Sequence, residues 1–290
     1  MKPVPYCVSE IIDKVFQTAA LVSEDAFIHK KILTKVLTVL QENAEEESPV
    51  ELELACLRAT YTALGVKDPY ENEKARQIRS LRGLENAFRA YIDNAEHRLS
   101  AAVRLSLASC GDSIKGLGRE DLEKVILSRL EEKPAIDDTE RLLAQVEHAT
   151  SIVYVAGEAA ELAADRFLLE ELAKKAKIEA VVTARAVLSR ATAADAEAAG
   201  ITPETATVCD SGADMLGLIP DRASNSVNEK LAAADLVIVK GAINYQTLAG
   251  YERDTFHILR CECPALAREL DVTPGTGVIK FRPGVSHDED

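Results

Sequence analysis

The sequence predicts an α/β protein: a helical N-terminal half over residues 1–149, then a Rossmann-like, doubly wound, mostly parallel sheet over residues 150–290 that carries the cleft. Two observations predict it. Up to about residue 150 the apolar positions recur at helical spacing, as in Ile11, Ile12, Val15 and Phe16 and again in Ile32, Leu33, Val36, Leu37 and Leu40; beyond it, short β-branched runs alternate with helical stretches. The run Ala234-Asp-Leu-Val-Ile-Val-Lys-Gly241, followed at once by Ala-Ile-Asn-Tyr-Gln-Thr-Leu248, reads as a buried strand that delivers a cation, a flexible backbone and an amide to one point.

Within the first half, residues 42–49 form a charged break, and Lys67-Asp-Pro-Tyr70 is a turn that restarts a helix, because proline disfavours helical backbone in the residue before it. The acidic runs there are solvated faces and helix ends. In the second half, strands are expected at 151–156, 178–183, 205–209, 235–240, 255–260 and 277–281. Helices are expected at 158–177, 191–199 and 224–233. Short apolar strands separated by helices of this length imply right-handed crossovers and a parallel sheet covered on both faces. Thr273-Pro-Gly-Thr-Gly277 is a turn before the last strand, and residues 286–290 are a frayed tail.

Composition narrows the function. A chain of 290 residues with 47% hydrophobic content buries a sizeable core, and a net charge of −14 argues against nucleic acid, whose phosphates such a surface repels. No apolar run is long enough to cross a bilayer, and the first residues lack the apolar stretch of a signal peptide, so the protein is expected in the cytoplasm, away from membranes. Six scattered cysteines read as reduced thiols; the close pair Cys261 and Cys263 alternates across a strand and is read as buried small hydrophobes. The five histidines lie near no nucleophile motif, and most are read as helix-surface residues. There is no Walker loop and no Gly-x-Gly-x-x-Gly fingerprint.

Ligands of a doubly wound sheet bind beyond the carboxyl ends of its strands. The candidates are therefore Ala156, Gly157 and Glu158; Arg185 with the loop to Arg190; Asp210, Ser211 and Gly212; and Lys240, Gly241 and Asn244.

These pieces carry a resemblance. Gly157-Glu-Ala-Ala-Glu-Leu-Ala-Ala-Asp165, Ala191-Thr-Ala-Ala-Asp-Ala-Glu-Ala-Ala-Gly200, Asp210-Ser-Gly212, the Lys240-Gly241 strand end with its downstream Asn244, and Glu262-Cys-Pro264 follow in order and spacing the damage-control, or carbohydrate-phosphate, phosphatase family. In the first half, Asp68-Pro-Tyr70 and the run 108–116 also look similar. The resemblance implies a divalent-metal-dependent hydrolase, using Mg²⁺ or Mn²⁺, that removes phosphate from small metabolites, with the lysine after the strand holding the phosphate. The ion would neutralise phosphate charge and orient the nucleophile.

The chain departs from the family's pattern where that pattern holds the metal, and so resembles a degenerate member. Gly157 and Glu158 stand where the resemblance expects the Asp and Asn of an Asp-Asn-Ala-Gly-Glu motif, and Arg190 stands where it expects a third metal-binding Asp. Lys115 ends Gly111-Asp-Ser-Ile-Lys115 where the Asp of Gly-Asn-x-x-Asp is expected, and Gln246 replaces a common Glu. Exchanging Asp for Arg moves a site by two charge units, and a unit pair ~4 Å apart is worth ~4 kcal/mol at an effective dielectric of ~20. No metal or other cofactor is therefore expected; if one binds, Glu158, Glu161 and Asp165 are its candidate ligands. The other reading of Glu158 and Glu161 places them in the first turn of a helix, where the dipole favours carboxylates.

Three readings stay open. Arg190, Lys240 and Arg185 form a metal-free anion pocket in which Ser211, Gly212, Gly241 and Asn244 help to bind a phosphorylated small molecule. Alternatively, Arg190 pairs with Glu158 and closes the cleft, leaving a scaffold that supports a protein partner, or the chain is an active phosphatase with a rearranged metal site.

Overall fold

The computed structural model describes residues 5–43 and 48–285. The interior of the charged break at 44–47 and the tail at 286–290 lie outside the described residues. The first half holds α1 (Pro5–Ala20), α2 (Ala26–Glu42), α3 (Pro49–Leu64), α4 (Glu71–Arg82), α5 (Glu85–Asp93), α6 (Arg98–Ala108), α7 (Arg119–Glu131), a two-residue strand β1 (Ile136–Asp137) and α8 (Thr139–Val146). The second half alternates: β2 (Ser151–Val155), α9 (Leu162–Ala173), β3 (Lys177–Val182), α10 (Ala193–Ala199), β4 (Thr207–Asp210), α11 (Asn225–Ala233), β5 (Leu236–Lys240), α12 (Ala242–Thr247), β6 (Thr255–Cys261), α13 (Pro264–Leu270) and β7 (Thr276–Arg282). The six strands expected from the sequence are present, and β1 is the one that the reading missed. Two residues carry no period, and β1 exists because it pairs with β7.

The seven strands lie in the order β1-β7-β6-β5-β2-β3-β4, all pairs parallel except β6 with β7. Side chains alternate across the sheet, so Ile152, Tyr154, Ile238 and Phe256 face one way and Val153, Val155, Val237 and Val239 the other. The first set packs with α4, α6 and α9 in one continuous core that joins the helical half to the sheet, while the second packs under α11. Helix ends follow local chemistry. Ser48 caps α3 ahead of Pro49, the Thr192 and Asp195 capping box opens α10, and Gly200 closes it in the left-handed region. The chain leaves β2 toward β3 on one side of the sheet and reaches β5 on the other, so the order reverses between β2 and β5, where a cleft is expected.

Helices α1, α2 and α3 form a cap with its own small core around Ile11, Val15, Ile32 and Val36. The cap rests on the loops beyond the strands through Leu54 and Leu57 packed on Val187 and Leu216. The Arg58 guanidinium donates twice to Asp214 at 2.9 Å, and the Leu188 N–H donates to the Tyr61 hydroxyl at 2.8 Å.

Two expectations need correction. The helix after β2 begins at Leu162, not at Glu158, because Glu158 is drawn into a bridge with Arg190 and residues 159–161 turn from it into the helix. His257 is not on a helix surface; it is fully buried in β6, bonded to the Thr255 hydroxyl at 2.9 Å. Burial, with Arg282 and Lys280, pulls its imidazole down to about 3. Below the unfolded value of ~6.5 the unfolded chain therefore takes up a proton that the folded one refuses. His257's share of stability is complete above pH ~6.5 and is lost as pH falls toward 3, amounting to ~2 kcal/mol between pH 8 and pH 5. Urea unfolding at the two pH values is expected to show a shallower pH dependence for His257→Leu than for the unmodified protein, and an unchanged slope would contradict it.

Candidate functional site

A cleft of ≈ 530 Å³ opens between the carboxyl ends of β2, β5 and β6 and the cap helices α1 and α3. Its floor includes Glu158, Glu161, Arg190 and Gly241, and the cap lends the Lys14 and Glu53 pair, 2.8 Å apart. The strand-to-helix turn requires Gly241, whose φ of 86° lies in the left-handed region. Backbone conformation and not crowding sets this requirement, since a Cβ there would stand 3.9 Å from Arg190 Nη1, an ordinary contact.

The Glu158 carboxylate sits among cations from two separate loops. Its Oε1 takes Arg190 Nη1 at 3.0 Å, and its Oε2 takes Lys115 Nζ at 3.1 Å together with a short hydrogen bond from the Ser189 hydroxyl. Burial alone would push this carboxyl up, but Lys115 and Arg190, helped by Ser189, more than offset that and hold it well below the usual carboxylate range. Lys115 also pairs with Asp112 at 2.5 Å. The backbone is pinned as well: the Ala159 N–H donates to the Ser189 carbonyl at 2.8 Å and the Ala191 N–H to the Gly157 carbonyl at 3.2 Å.

Lys240 turns away from the cleft. Its side chain is 0% exposed; Nζ lies 3.0 Å from Asp165 Oδ1, donates to the Ser106 carbonyl at 2.7 Å and to its hydroxyl at 2.9 Å, and meets Cys110 Sγ at 2.8 Å. Burial pulls this ammonium down, but Asp165, Cys110 and Glu161 more than offset it and keep the charge in place. Glu161 stands between Lys240 and the cleft. Its Oε2 is 3.8 Å from Nζ and its Oε1 accepts the Gly111 N–H at 3.1 Å. Burial, with the charges of Asp165 and Glu158 and against the pull of Lys240, pushes Glu161 up to about 7.

The other expected residues are committed to the scaffold. Asn244 is buried; its amide donates to the Ala156 and Lys240 carbonyls at 2.9 and 2.7 Å and its oxygen accepts the Leu218 N–H at 2.8 Å. It thus ties β2, β5 and the loop at 218 together. The Ser211 hydroxyl donates to the Ala213 carbonyl at 2.8 Å, and the Gly212 N–H donates to Asp210 at 2.9 Å. Arg190, Ser211 and Asn244 do meet, but around a void of ≈ 20 Å³ under the loop at 215–218, not in the cleft. Arg185 is exposed beside Asp214. Cys261 is buried and Cys263 half-buried, both free thiols. The residues missed as site members are Lys115 and Ser106, while Ser189 lies in the loop to Arg190 that the sequence singled out; of the two missed, only Lys115 left a signal, as a cation where the resemblance expects an acid.

The carboxylates named as candidate metal ligands do not suit a divalent cation in this arrangement. Both oxygens of Glu158 are taken by cations, and Asp165 and Glu161 face the Lys240 ammonium. Among the described residues no group of three or more His, Cys, Asp or Glu is placed to hold a metal ion.

Fold and site together define a doubly wound α/β protein with a helical cap and a polar cleft at the strand reversal. The sequence matches the damage-control phosphatase ARMT1-like domain over residues 4–278, and the chain belongs to that family. It is 28% identical over 288 residues to a damage-control phosphatase of Archaeoglobus fulgidus, covering 97% of this chain and 99% of that one. It is 24% identical over 276 residues to a damage-control phosphatase of Pyrococcus horikoshii, covering 93% and 94%. The crystal structure of a DUF89 family protein from Pyrococcus horikoshii superposes with a TM-score of 0.87 at 25% identity, covering 96% of this chain and 98% of the other.

The burial of Lys240 yields a test. Lys240→Met leaves the buried Asp165 carboxyl without its cation, and is expected to cost ~3–5 kcal/mol of stability. The double variant Lys240→Met with Asp165→Leu is expected to recover most of that loss in a urea double-mutant cycle. A loss below ~1 kcal/mol for the single variant would mean that the lysine works in the cleft instead.

Proposed function

We propose that this chain uses the damage-control phosphatase fold as a metal-independent receptor for a phosphorylated small molecule, with hydrolysis lost or altered. The observation that carries the reading is the meeting of Arg190 and Lys115 on one carboxylate at 3.0 and 3.1 Å. The resemblance leads one to expect acids at both positions, and on this reading the two cations, with Asp112 beside Lys115, supply part of the charge that would otherwise come from an ion. Guanidinium and ammonium groups bind phosphate oxygens directly. In this reading Arg190 and Lys115 hold the anion beside Gly241, while Lys240, Asn244, Ser211 and Gly212 shape the floor beneath them. The bound molecule carries its phosphate into the cleft and its remainder toward the cap.

A second reading, an active phosphatase using Mg²⁺ or Mn²⁺ at a rearranged site, is supported by the end-to-end similarity to proteins named damage-control phosphatases. Calorimetry separates the two. With a chelator present, inorganic phosphate is expected to bind, Arg190→Gln is expected to weaken that binding at least tenfold, and Mg²⁺, Mn²⁺, Co²⁺ or Ni²⁺ is expected to give no heat of binding. A panel of sugar phosphates with each metal is expected to release no phosphate above the blank. Metal-dependent turnover would carry the second reading, and a protein that binds no anion in either state would remove the first.

A further inference from the structure

We propose that the Glu158 carboxylate is a built-in occupant of an oxyanion site formed by Arg190, Lys115 and the Ser189 hydroxyl, and that a phosphate dianion binds by displacing it. The inference rests on the metal-independent reading above and adds the selection rule of that same site.

The three donors converge on Glu158 as they would on a bound oxyanion: a guanidinium at 3.0 Å on one oxygen, and an ammonium at 3.1 Å with a hydroxyl on the other. Arg190 is nearly buried, and the backbone on both sides of Glu158 is fixed by the bridge to Arg190 and by the Ala159 and Ala191 hydrogen bonds. The site is thus held in shape by backbone that does not depend on the carboxylate. The occupant itself can leave. Glu158 lies on the floor of a cleft of ≈ 530 Å³ with its side chain 16% exposed, and in the proposed exchange its carboxylate swings into that cleft. Its destination is open to water, where the free carboxylate is solvated.

A tethered carboxylate competes at high effective concentration, so an incoming ligand binds only the fraction of molecules whose site is vacated. A monoanion makes the same kind of charge-assisted bonds as Glu158 and gains nothing over it. A phosphate monoester carries up to two negative charges and three acceptor oxygens, and so draws more from Arg190 and Lys115 than one carboxylate does, although Lys115 still shares its charge with Asp112. Glu158 accordingly sets a threshold that a phosphate passes and an acetate or a chloride does not.

The test compares inorganic phosphate and acetate by calorimetry on the full chain, with a chelator present. The unmodified protein is expected to bind phosphate and not acetate. Glu158→Gln is expected to bind phosphate at least tenfold more tightly and to give measurable acetate binding; Lys115→Met is expected to weaken phosphate. Glu158→Gln leaves two cations short of a partner, so its melting temperature is followed against phosphate concentration, and it is expected to rise more steeply than that of the unmodified protein. If Glu158→Gln does not fold, Glu158→Asp replaces it; the shorter side chain withdraws from Lys115, and phosphate is expected to tighten about threefold. Phosphate binding by the unmodified protein that is unchanged or weaker in the folded Glu158 variant overturns the displacement while leaving the receptor reading intact. Phosphate bound by neither protein removes the receptor reading and the displacement with it.

Discussion

The buried pair of Lys240 and Asp165, 3.0 Å apart and both fully inaccessible, is the constraint on which the carboxyl edge of the sheet depends. Removing two ions from water costs several kcal/mol each, and their attraction repays that only when further hydrogen bonds complete both partners. Here Ser106 bonds the lysine through its carbonyl and its hydroxyl, and that hydroxyl also donates to Asp165 Oδ1 at 2.6 Å, so the lysine is completed while Asp165 Oδ2 is buried without a hydrogen-bond partner among the described residues. The pair joins the end of β5 to α9, and Ser106 brings in α6 from the other half of the chain. A slip of any of these elements would strand a charge inside the protein. The lysine that begins as a ligand-binding candidate is, in the folded chain, the bolt between the helical half and the sheet.

That bolt sets the electrostatics of the floor above it. Glu161 lies between the buried ammonium and the cleft, and burial together with two neighbouring acids outweighs the lysine and pushes it up to about 7. One turn of backbone earlier, Glu158 experiences the opposite balance and is held ionised by Lys115 and Arg190. Two carboxylates three residues apart thus end with opposite tendencies because one faces a cation already claimed by Asp165 and the other faces two cations that have no closer acid than itself and Asp112. The ionised carboxylate is therefore the one held at the cation pair.

The centre of the sheet was readable because β2 and β5 are buried on both faces and so spell apolar runs, at 152–155 and 236–239. The start of α9 was misplaced for a reason of the opposite kind. Residues 158–161 have good helical composition, but a bridge to Arg190, thirty-two residues away, claims the backbone first, and no local pattern announces a distant partner. The candidate site was legible as a set of strand ends and not as a set of directions. Sequence placed Lys240, Asn244 and Ser211 at the right ends, yet whether a side chain turns into the cleft or into the core depends on what waits beneath it, here Asp165 on α9 and the Leu218 N–H. Lys115 escaped because its partner Glu158 comes from another loop, although the same resemblance that marked Arg190 as a cation out of place marked Lys115 too.

Arg190 and Lys115 act on Glu158 as a pair. With Asp112 set against Lys115, two cations and two carboxylates balance while Glu158 is in place, so what the second cation adds is a partner for Oε2 from another loop and not net charge. Together they hold one carboxylate from two directions, and the pocket remains positive whenever that carboxylate leaves. A divalent ion does two jobs in a phosphatase: it attracts the phosphate, and it lowers the pKa of bound water or orients the attacking group. Fixed monocations perform the first job well and the second hardly at all, since neither a guanidinium nor an ammonium offers an open coordination position for the nucleophile. On the proposed reading the exchange of acids for Arg190 and Lys115 separates binding from turnover along that physical line, and Glu158 keeps the retained half from being satisfied by any passing anion.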